Sequence, residues 1–374
     1  MADSRVSERP ARVLYLTLES PREGQASYAH VNEIVTGLRR LGHPVELFAP
    51  RYANGWARPG LAGRFTEYAK LQWQLCRAAR PGDVVYVRAH FLAFLVSVYG
   101  RLRGLRLMQE INGPYEDLFI SYPWTQCFQG LLTALQRWQF RTADALVAVT
   151  PQLKSWVLAQ GVRGRVEVVP NGANVDLFRP GAPTEFTDLP AKFVVFFGGF
   201  ARWQGLETML AALDCADWPG DTHLVVIGDG QQRDLVEQAA RRNPRLRWLG
   251  RLAYAAIPGV VCRSIGGLVP KNRQGDREST GLFPLKVFES LACGVPAVVT
   301  DFPGQADLIR QHDCGLVVPP EDAPALARAV ARLAADPALV AAMGSRGAAV
   351  VRREHSWQRR AEQTAHIITC LTEH

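Results

Sequence analysis

Two doubly wound α/β domains are what this sequence predicts, on three observations. Short apolar or β-branched runs alternate with helical patterns along the whole chain, which implies parallel sheets with helices on both faces. The 374 residues are roughly twice a typical domain. A Pro/Gly-rich stretch at 180–190, soon after the Asn171-Gly172 turn, separates two halves of like architecture. The expected division is a first domain over 1–180, a second over 181–355, and a tail over 356–374 whose helix packs back on the first domain.

The first half opens with a buried strand at 13–18 and a loop at 19–27. A helix at about 28–41, ended by Gly42, leads to a strand at 45–48. Further strands are expected at 84–87, 105–111, 145–149 and 166–169, with helical patterns between them. The second half begins again with a strand at 193–197, a helix at 205–213 and a strand at 223–227. Strands at 247–249, 266–269, 297–300 and 315–318 complete the series, and a helix closes the chain from 356 to about 371. Two such domains facing each other would place ligands at the carboxyl ends of the strands.

Composition narrows the class. Hydrophobic residues at 48% and charged residues at 21% are ordinary for a soluble globular protein. The seven cysteines are odd in number, scattered and without a C-x-x-C pair. That argues against a disulfide framework and a zinc site, and for a reducing, cytoplasmic setting. The opening MADSRVSERPAR has no apolar core, so no signal peptide is read there. The apolar run at 90–100 is about half the length of a membrane span. The net charge of +8 lies wholly in residues 1–180, which hold 22 Lys/Arg against 14 Asp/Glu, whereas the remainder holds 21 of each. Such a field suits an anionic acceptor, or peripheral contact with an anionic membrane at its inner face. No helix-turn-helix, zinc-finger or RNA-recognition pattern is present, so nucleic acid is not an expected partner.

The most informative segment is 281–301, GLFPLKVFESLACGVPAVVTD. It reads as a short loop, a helix carrying Glu289, a break at Gly294-Val295-Pro296 and a buried strand. A loop that opens a helix gathers free N–H groups and the positive end of the helix dipole, a seat for phosphate. Lys286 in the first turn opposes that dipole unless an anion binds there. Glu289, one turn on, can accept two sugar hydroxyls on one carboxylate. Phosphate donors beside a hydroxyl acceptor describe a site for a nucleotide-diphosphate sugar; the plainer alternative is a solvated Lys and Glu on a capped helix.

Other candidates fall after expected strands. Gly24-Gln25-Ala26 would let backbone approach a ligand, though it is not the G-x-G-x-x-G fingerprint. The run Gly198-Gly199-Phe200-Ala201-Arg202-Trp203-Gln204-Gly205, with paired glycines and a lone Arg before a helix, suits a diphosphate. Gly228-Asp229-Gly230 leaves room for a flat base, and Arg251 follows the next strand. His90 follows the strand at 84–87, and Glu110 and Asn112 stand at the tip of another. The aromatic stretch at 115–140 has helical spacing and reads as core, with membrane-surface contact as the alternative. No G-x-S-x-G, Walker A loop or metal-ligand cluster is seen.

Taken together, these segments resemble the family 4 glycosyltransferases. The resemblance is carried in order by Gly24-Gln25-Ala26, Glu110-Ile111-Asn112-Gly113, Arg141-Thr142-Ala143-Asp144, Val169-Pro170-Asn171-Gly172-Ala173-Asn174, Phe178-Arg179-Pro180 and Trp203-Gln204-Gly205-Leu206. The strongest is the run from Pro284 through Lys286 and Glu289 to Pro296. The resemblance implies a GT-B architecture and retaining, metal-independent transfer of a sugar from a nucleotide-sugar donor to a hydroxyl acceptor, with no cofactor. It implies that Glu289 binds the ribose hydroxyls. Backbone of Gly281, Leu282, Phe283 and Leu285 would hold the diphosphate, and Gly24 and Gln25 would approach the donor from the first domain. Gly199, Gly228, Gly230, Arg251 and Asn112 complete the expected donor contacts.

Three departures stand out. Many members carry a Glu where this chain has Gly281, an Arg and a Lys where it has Gly199 and Gln204, and a His where it has Asn112. Arg202 and Lys286 are the expected substitutes for the missing cations, and His90 and Glu110 the expected contacts to the donor sugar. The same architecture would also suit a nucleotide-sugar 2-epimerase, or a catalytically silent sugar-nucleotide-binding partner of another enzyme.

Overall fold

The computed structural model describes residues 10–19, 26–50, 60–273 and 277–373. Its Cα framework divides into two compact units. The first contains the stretch Val31–Val169 and the C-terminal residues from Ala361; the second is built on Pro170–Arg360. The division falls at Val169–Pro170, ahead of the Pro/Gly-rich stretch, for a packing reason. The Val169 amide bonds the Ala148 carbonyl at 3.0 Å, whereas Ala173 and Phe178 are fully buried in a core cluster of the second unit.

In the first unit, β1 (Val13–Leu16), β2 (Val45–Phe48), β3 (Val84–Arg88), β4 (Arg106–Ile111), β5 (Ala145–Ala148) and β6 (Arg165–Val168) form one parallel sheet. Its spatial order is β2-β1-β3-β4-β5-β6. The helices are α1 (Ala26–Arg40), of which the residues from Val31 belong to this unit, α2 (Leu61–Ala78), α3 (Phe94–Leu102), α4 (Glu116–Ser121), α5 (Gln129–Thr142) and α6 (Pro151–Ala159). Tyr68, Leu71 and Leu75 of α2 and Val96 of α3 pack with Leu14, Leu16, Val85 and Val87 of the sheet.

In the second unit, β7 (Phe193–Phe197), β8 (His223–Ile227), β9 (Leu246–Trp248), β10 (Gly266–Val269), β11 (Ala297–Thr300) and β12 (Gly315–Val318) form another parallel sheet. Its order is β12-β11-β10-β7-β8-β9. The helices are α7 (Leu206–Leu213), α8 (Arg233–Arg242), α9 (Ile257–Val261), α10 (Leu285–Ala292), α11 (Gln305–His312), α12 (Ala323–Ala335) and α13 (Pro337–Glu354); α14 (Trp357–Thr372) closes the chain. β7 lies at the centre and is buried on both faces. Phe193, Val195 and Phe197 enter one core cluster, and Val194 and Phe196 the other. This two-sided burial explains why the strands read as continuous apolar runs rather than alternating ones. Successive strands leave β7 in opposite directions, so the strand order reverses between β7 and β10, where doubly wound sheets open a crevice for ligands.

Every strand expected from the sequence is present, within two residues at each end. Among the described residues, no helix is long and apolar enough to cross a membrane.

Candidate functional site

At the β7–β10 switch point, the carboxyl ends of the strands border a cavity of about 220 Å³. Its wall takes Gly198 and Gly199 from the loop after β7, Gly228 and Asp229 after β8, and Arg251, Leu252 and Tyr254 after β9. Lys271 follows β10, and Leu285, Lys286 and Glu289 come from α10.

Glycine is required where these loops cross. Gly228 has φ +137°, and a Cβ there would stand 1.9 Å from the Gly198 carbonyl oxygen. Gly205 has φ +73°, and a Cβ there would stand 1.5 Å from the Pro270 carbonyl oxygen. The loops after β7 and β10 therefore interlock, and Asn272 ties them further through its amide to the Trp203 carbonyl at 3.2 Å. That interlock sets Gln204, on the short 3-10 turn Arg202–Gln204, between two lysines.

Lys286 Nζ donates to Gln204 Oε1 at 2.9 Å, and Lys271 Nζ donates to the same oxygen at 2.9 Å. Lys286 is buried, and its ammonium lies 3.8 Å from the centroid of the Phe196 ring. Burial and the neighbouring Lys271 charge hold its pKa well below the ordinary lysine value, with Glu289 opposing them in part. Pro284 precedes α10 without a side-chain cap, so the positive end of that helix opens on the same cavity. Two ammonium groups on one neutral oxygen, beside an uncapped helix start, make a seat for an anion with more than one charge.

One turn along α10, Glu289 is buried and accepts a hydrogen bond from the Tyr254 hydroxyl at 2.8 Å on Oε1. Tyr254 is itself packed 5.2 Å from the Phe178 ring. On the far side of the cavity, Arg251 Nε donates to Asp229 Oδ2 at 3.1 Å. The lead-in to α10 is pinned at both ends of its turn. The Leu282 amide bonds the Pro303 carbonyl at 2.9 Å, and Asn171 Nδ2 donates to the Phe283 carbonyl at 2.9 Å.

The structure gathers some of the sequence candidates and leaves others apart. Gly199, Gly228, Arg251, Leu285, Lys286 and Glu289 share the cavity wall. Gly281, Leu282 and Phe283 form the loop that leads to it, with Gly281 at φ +75°. Gly230 instead turns back on Phe200, whose amide nitrogen a Cβ at Gly230 would approach to 2.7 Å. Arg202 is exposed and is not among the residues of the cavity wall. Lys271 occupies the place expected of Arg202. Nothing in the local motif marked it; the available signal was its position in the loop after a strand at the switch point.

Glu110, His90 and Asn112 lie in the first unit. Glu110 is 1% exposed and accepts from Tyr86 at 2.7 Å, Tyr15 at 3.2 Å, Arg88 at 2.6 Å and Asn112 at 2.6 Å. Burial works against the Arg88 charge, but Glu19 and Glu110 outweigh it and push its pKa up. Burial and Glu110 likewise push Tyr15 and Tyr86 well up. Glu110 thus anchors a buried network that Asn112 joins. His90 Nδ1 accepts from the Leu92 amide at 3.1 Å, capping the short turn Phe91–Ala93, and burial lowers its pKa to about 4. His90 is therefore neutral near pH 7. Gly24 and Gln25 lie outside the described residues. Among the described residues, no three His, Cys, Asp or Glu side chains gather as a metal-ligand set.

Known proteins share both sequence and fold with this chain. Residues 29–177 match the sequence model described as Glycosyltransferase Family 4, and residues 191–336 match that described as Glycosyl transferases group 1. The phosphatidyl-myo-inositol mannosyltransferase of Mycobacterium leprae is 27% identical over 245 residues, covering 64% of this chain and 62% of that protein. The chain spans about three fifths of the length of the first curated relatives it matches, 62% and 59%. Among solved structures, sucrose-phosphate synthase of Thermosynechococcus elongatus superposes with a TM-score of 0.78 at 20% identity, covering 97% of this chain and 99% of that one. HepE of Anabaena in complex with UDP-glucose gives 0.69 at 18% identity, covering 96% and 99%. With both halves matched in order and two doubly wound units in the structure, the chain belongs to the family 4 glycosyltransferases and has the GT-B fold.

Proposed function

We propose that the protein transfers a sugar, with retention of anomeric configuration, from a nucleotide-diphosphate sugar to a hydroxyl acceptor. The observation that carries this reading is the meeting of Lys271, Lys286 and Gln204 with the start of α10 and the Glu289 carboxylate in one cavity. The diphosphate lies against the two ammonium groups and the helix start. Glu289, steadied by Tyr254, takes the ribose hydroxyls. The charge that develops on the departing diphosphate is met by groups already in place, which is the largest contribution such a site makes to rate. Those two lysines, rather than Gly199 and Gln204, supply the cations, and the reading needs no cofactor or metal. The division of labour between a donor-binding second unit and an acceptor-binding first unit belongs to the same proposal.

The acceptor is a hydroxyl on a glycan, a small molecule or a lipid-linked sugar. The basic first half favours an acceptor that is anionic or sits at an anionic membrane, with the enzyme peripheral to that surface. The name of the Mycobacterium leprae relative points to the lipid case.

A panel of nucleotide sugars incubated with the pure protein tests the reading. Slow hydrolysis of one donor is expected, with the released sugar first appearing in the donor's own anomeric configuration by NMR. Release of the opposite anomer overturns retention. Epimerisation of a donor, or binding of every donor without turnover, overturns transfer itself.

A further inference from the structure

Twelve large apolar side chains are exposed among the described residues, and all of them fall between Leu41 and Leu158 in the first unit. Eleven, all but Leu41, lie on the segments that connect β2 to β3, β3 to β4, β4 to β5 and β5 to β6. Those connections all step the same way across the sheet. Right-handed crossovers therefore put α2 to α6 on a single face of it. In keeping with this, α2 touches α3, and α3 touches α5. The second unit, with a sheet of the same size, has no such exposed side chain among its described residues.

The exposure has a pattern. On α2, Leu61, Phe65, Trp73 and Arg77 are all exposed: Leu61 and Phe65 in its first two turns, Trp73 and Arg77 on the side opposite buried Leu71 and Leu75. Trp124, Phe128 and Leu131 are likewise exposed on the turn before α5 and on its first residues, at 57%, 55% and 61%. Basic groups stand among them. The Arg77 guanidinium lies 4.8 Å from the Trp73 ring centroid, and α2 to α6 together carry seven Lys/Arg against three Asp/Glu. A protein interface typically depletes charge at its core. Aromatic and leucine side chains interleaved with Arg and Lys on a helix surface are instead the composition of an interfacial, lipid-facing element.

We propose that this face of the first unit rests on an anionic lipid bilayer. Trp73, Phe65, Trp124 and Phe128 enter the headgroup boundary, and the arginines meet lipid phosphates. The proposal deepens the lipid-linked reading of the acceptor and rests on it for the purpose of binding, though not for the binding itself.

The test is sedimentation of the full chain with vesicles of phosphatidylcholine alone and of phosphatidylcholine mixed with phosphatidylglycerol. Binding to the mixed vesicles is expected, on the order of ten-fold weaker on the neutral ones and weakened by salt. The double variant Trp73→Ala/Trp124→Ala is expected to lose roughly ten-fold or more in binding to mixed vesicles. Both positions are exposed, so folding is kept; nucleoside-diphosphate titration of the variant, expected to match the parent, checks this. Absence of binding to mixed vesicles, or equal binding by the variant, overturns the proposal. So does a dimer in light scattering without lipid that the same variant breaks, since a second copy then covers the face. A protein that binds vesicles but no nucleoside diphosphate would defeat the transferase reading and leave this one standing.

Discussion

Lys271 in the loop after β10 and Lys286 in the first turn of α10, fifteen residues apart, donate to the same oxygen of Gln204 at 2.9 Å each. A neutral amide holding two ammonium groups together keeps like charges close without cancelling them. On the proposed reading, a diphosphate completes that arrangement.

On the proposed reading, Lys286 would act on the leaving group more than on the bound donor. Lys286→Ala is expected to cut kcat on the order of 10²–10³-fold, the usual cost of losing one preorganised group facing developing charge. Donor affinity should fall much less. Steady-state kinetics with separate nucleotide titrations check this; equal losses in rate and affinity would count against the role.

At a pH above the free-protein pKa of Lys286, binding should take up a proton. Burial and Lys271 hold Lys286 below its ordinary value of 10.5 in the free protein. A bound diphosphate favours the ammonium and raises the pKa again. Affinity is therefore full below the free-protein pKa and declines as pH climbs past it toward the pKa of the complex. For folding the sign is opposite, since the depressed pKa makes this group's contribution grow as pH rises toward 10.5. Calorimetric titration of a nucleoside diphosphate in buffers of different ionisation heat should show the uptake, and Lys286→Met should abolish it.

Glu289→Ala should weaken nucleoside-diphosphate binding by about 2–3 kcal/mol, because it removes a charged acceptor of ligand hydroxyls. Tyr254→Phe removes only the 2.8 Å bond that steadies the carboxylate. Its cost should be about 1 kcal/mol. Titration with the matching deoxyribose nucleotide provides the control: Glu289→Ala should lose less there.

Glu110→Gln should act on stability first. It strips the charge facing buried Arg88, whose guanidinium lies 2.6 Å from Glu110 Oε1. A loss of about 3–5 kcal/mol is expected, read as a lowered Tm and denaturation midpoint. A variant with parental stability and lost turnover would instead assign Glu110 to the reacting sugar.

Gly205→Ala should couple loop to loop. Its Cβ would meet the Pro270 carbonyl at 1.5 Å from a left-handed backbone. One of the two crossing loops must move, at a cost of several kcal/mol. Melting curves and donor affinity should suffer together, because the displaced loop carries Lys271.

Much of the fold was legible because both sheets are parallel and buried on two faces. Runs such as Phe193–Phe197 and Ala297–Thr300 must then be apolar throughout and end at Gly or a polar residue. Glu289 and Lys286 were legible for a related reason, since both lie on one helix whose start is marked by Pro284. The placement of His90 and Glu110 was not. Nothing local in a His and a Glu at strand ends marks the turn cap that His90 makes or the buried network of Tyr15, Tyr86 and Arg88 that Glu110 anchors.

The sequence by itself determined the strand–helix alternation, the basic first half and the helix that carries Lys286 and Glu289, because local pattern and periodicity encode each of them. Only the tertiary structure decided that Lys271 joins Lys286 on Gln204, that Arg202 stays outside the cavity wall, and that the exposed apolar side chains gather on one face of the first unit. Those outcomes depend on which loops cross and on which side of a sheet each connection passes. Strand order and crossover handedness set both, and neither is written in any short stretch of residues.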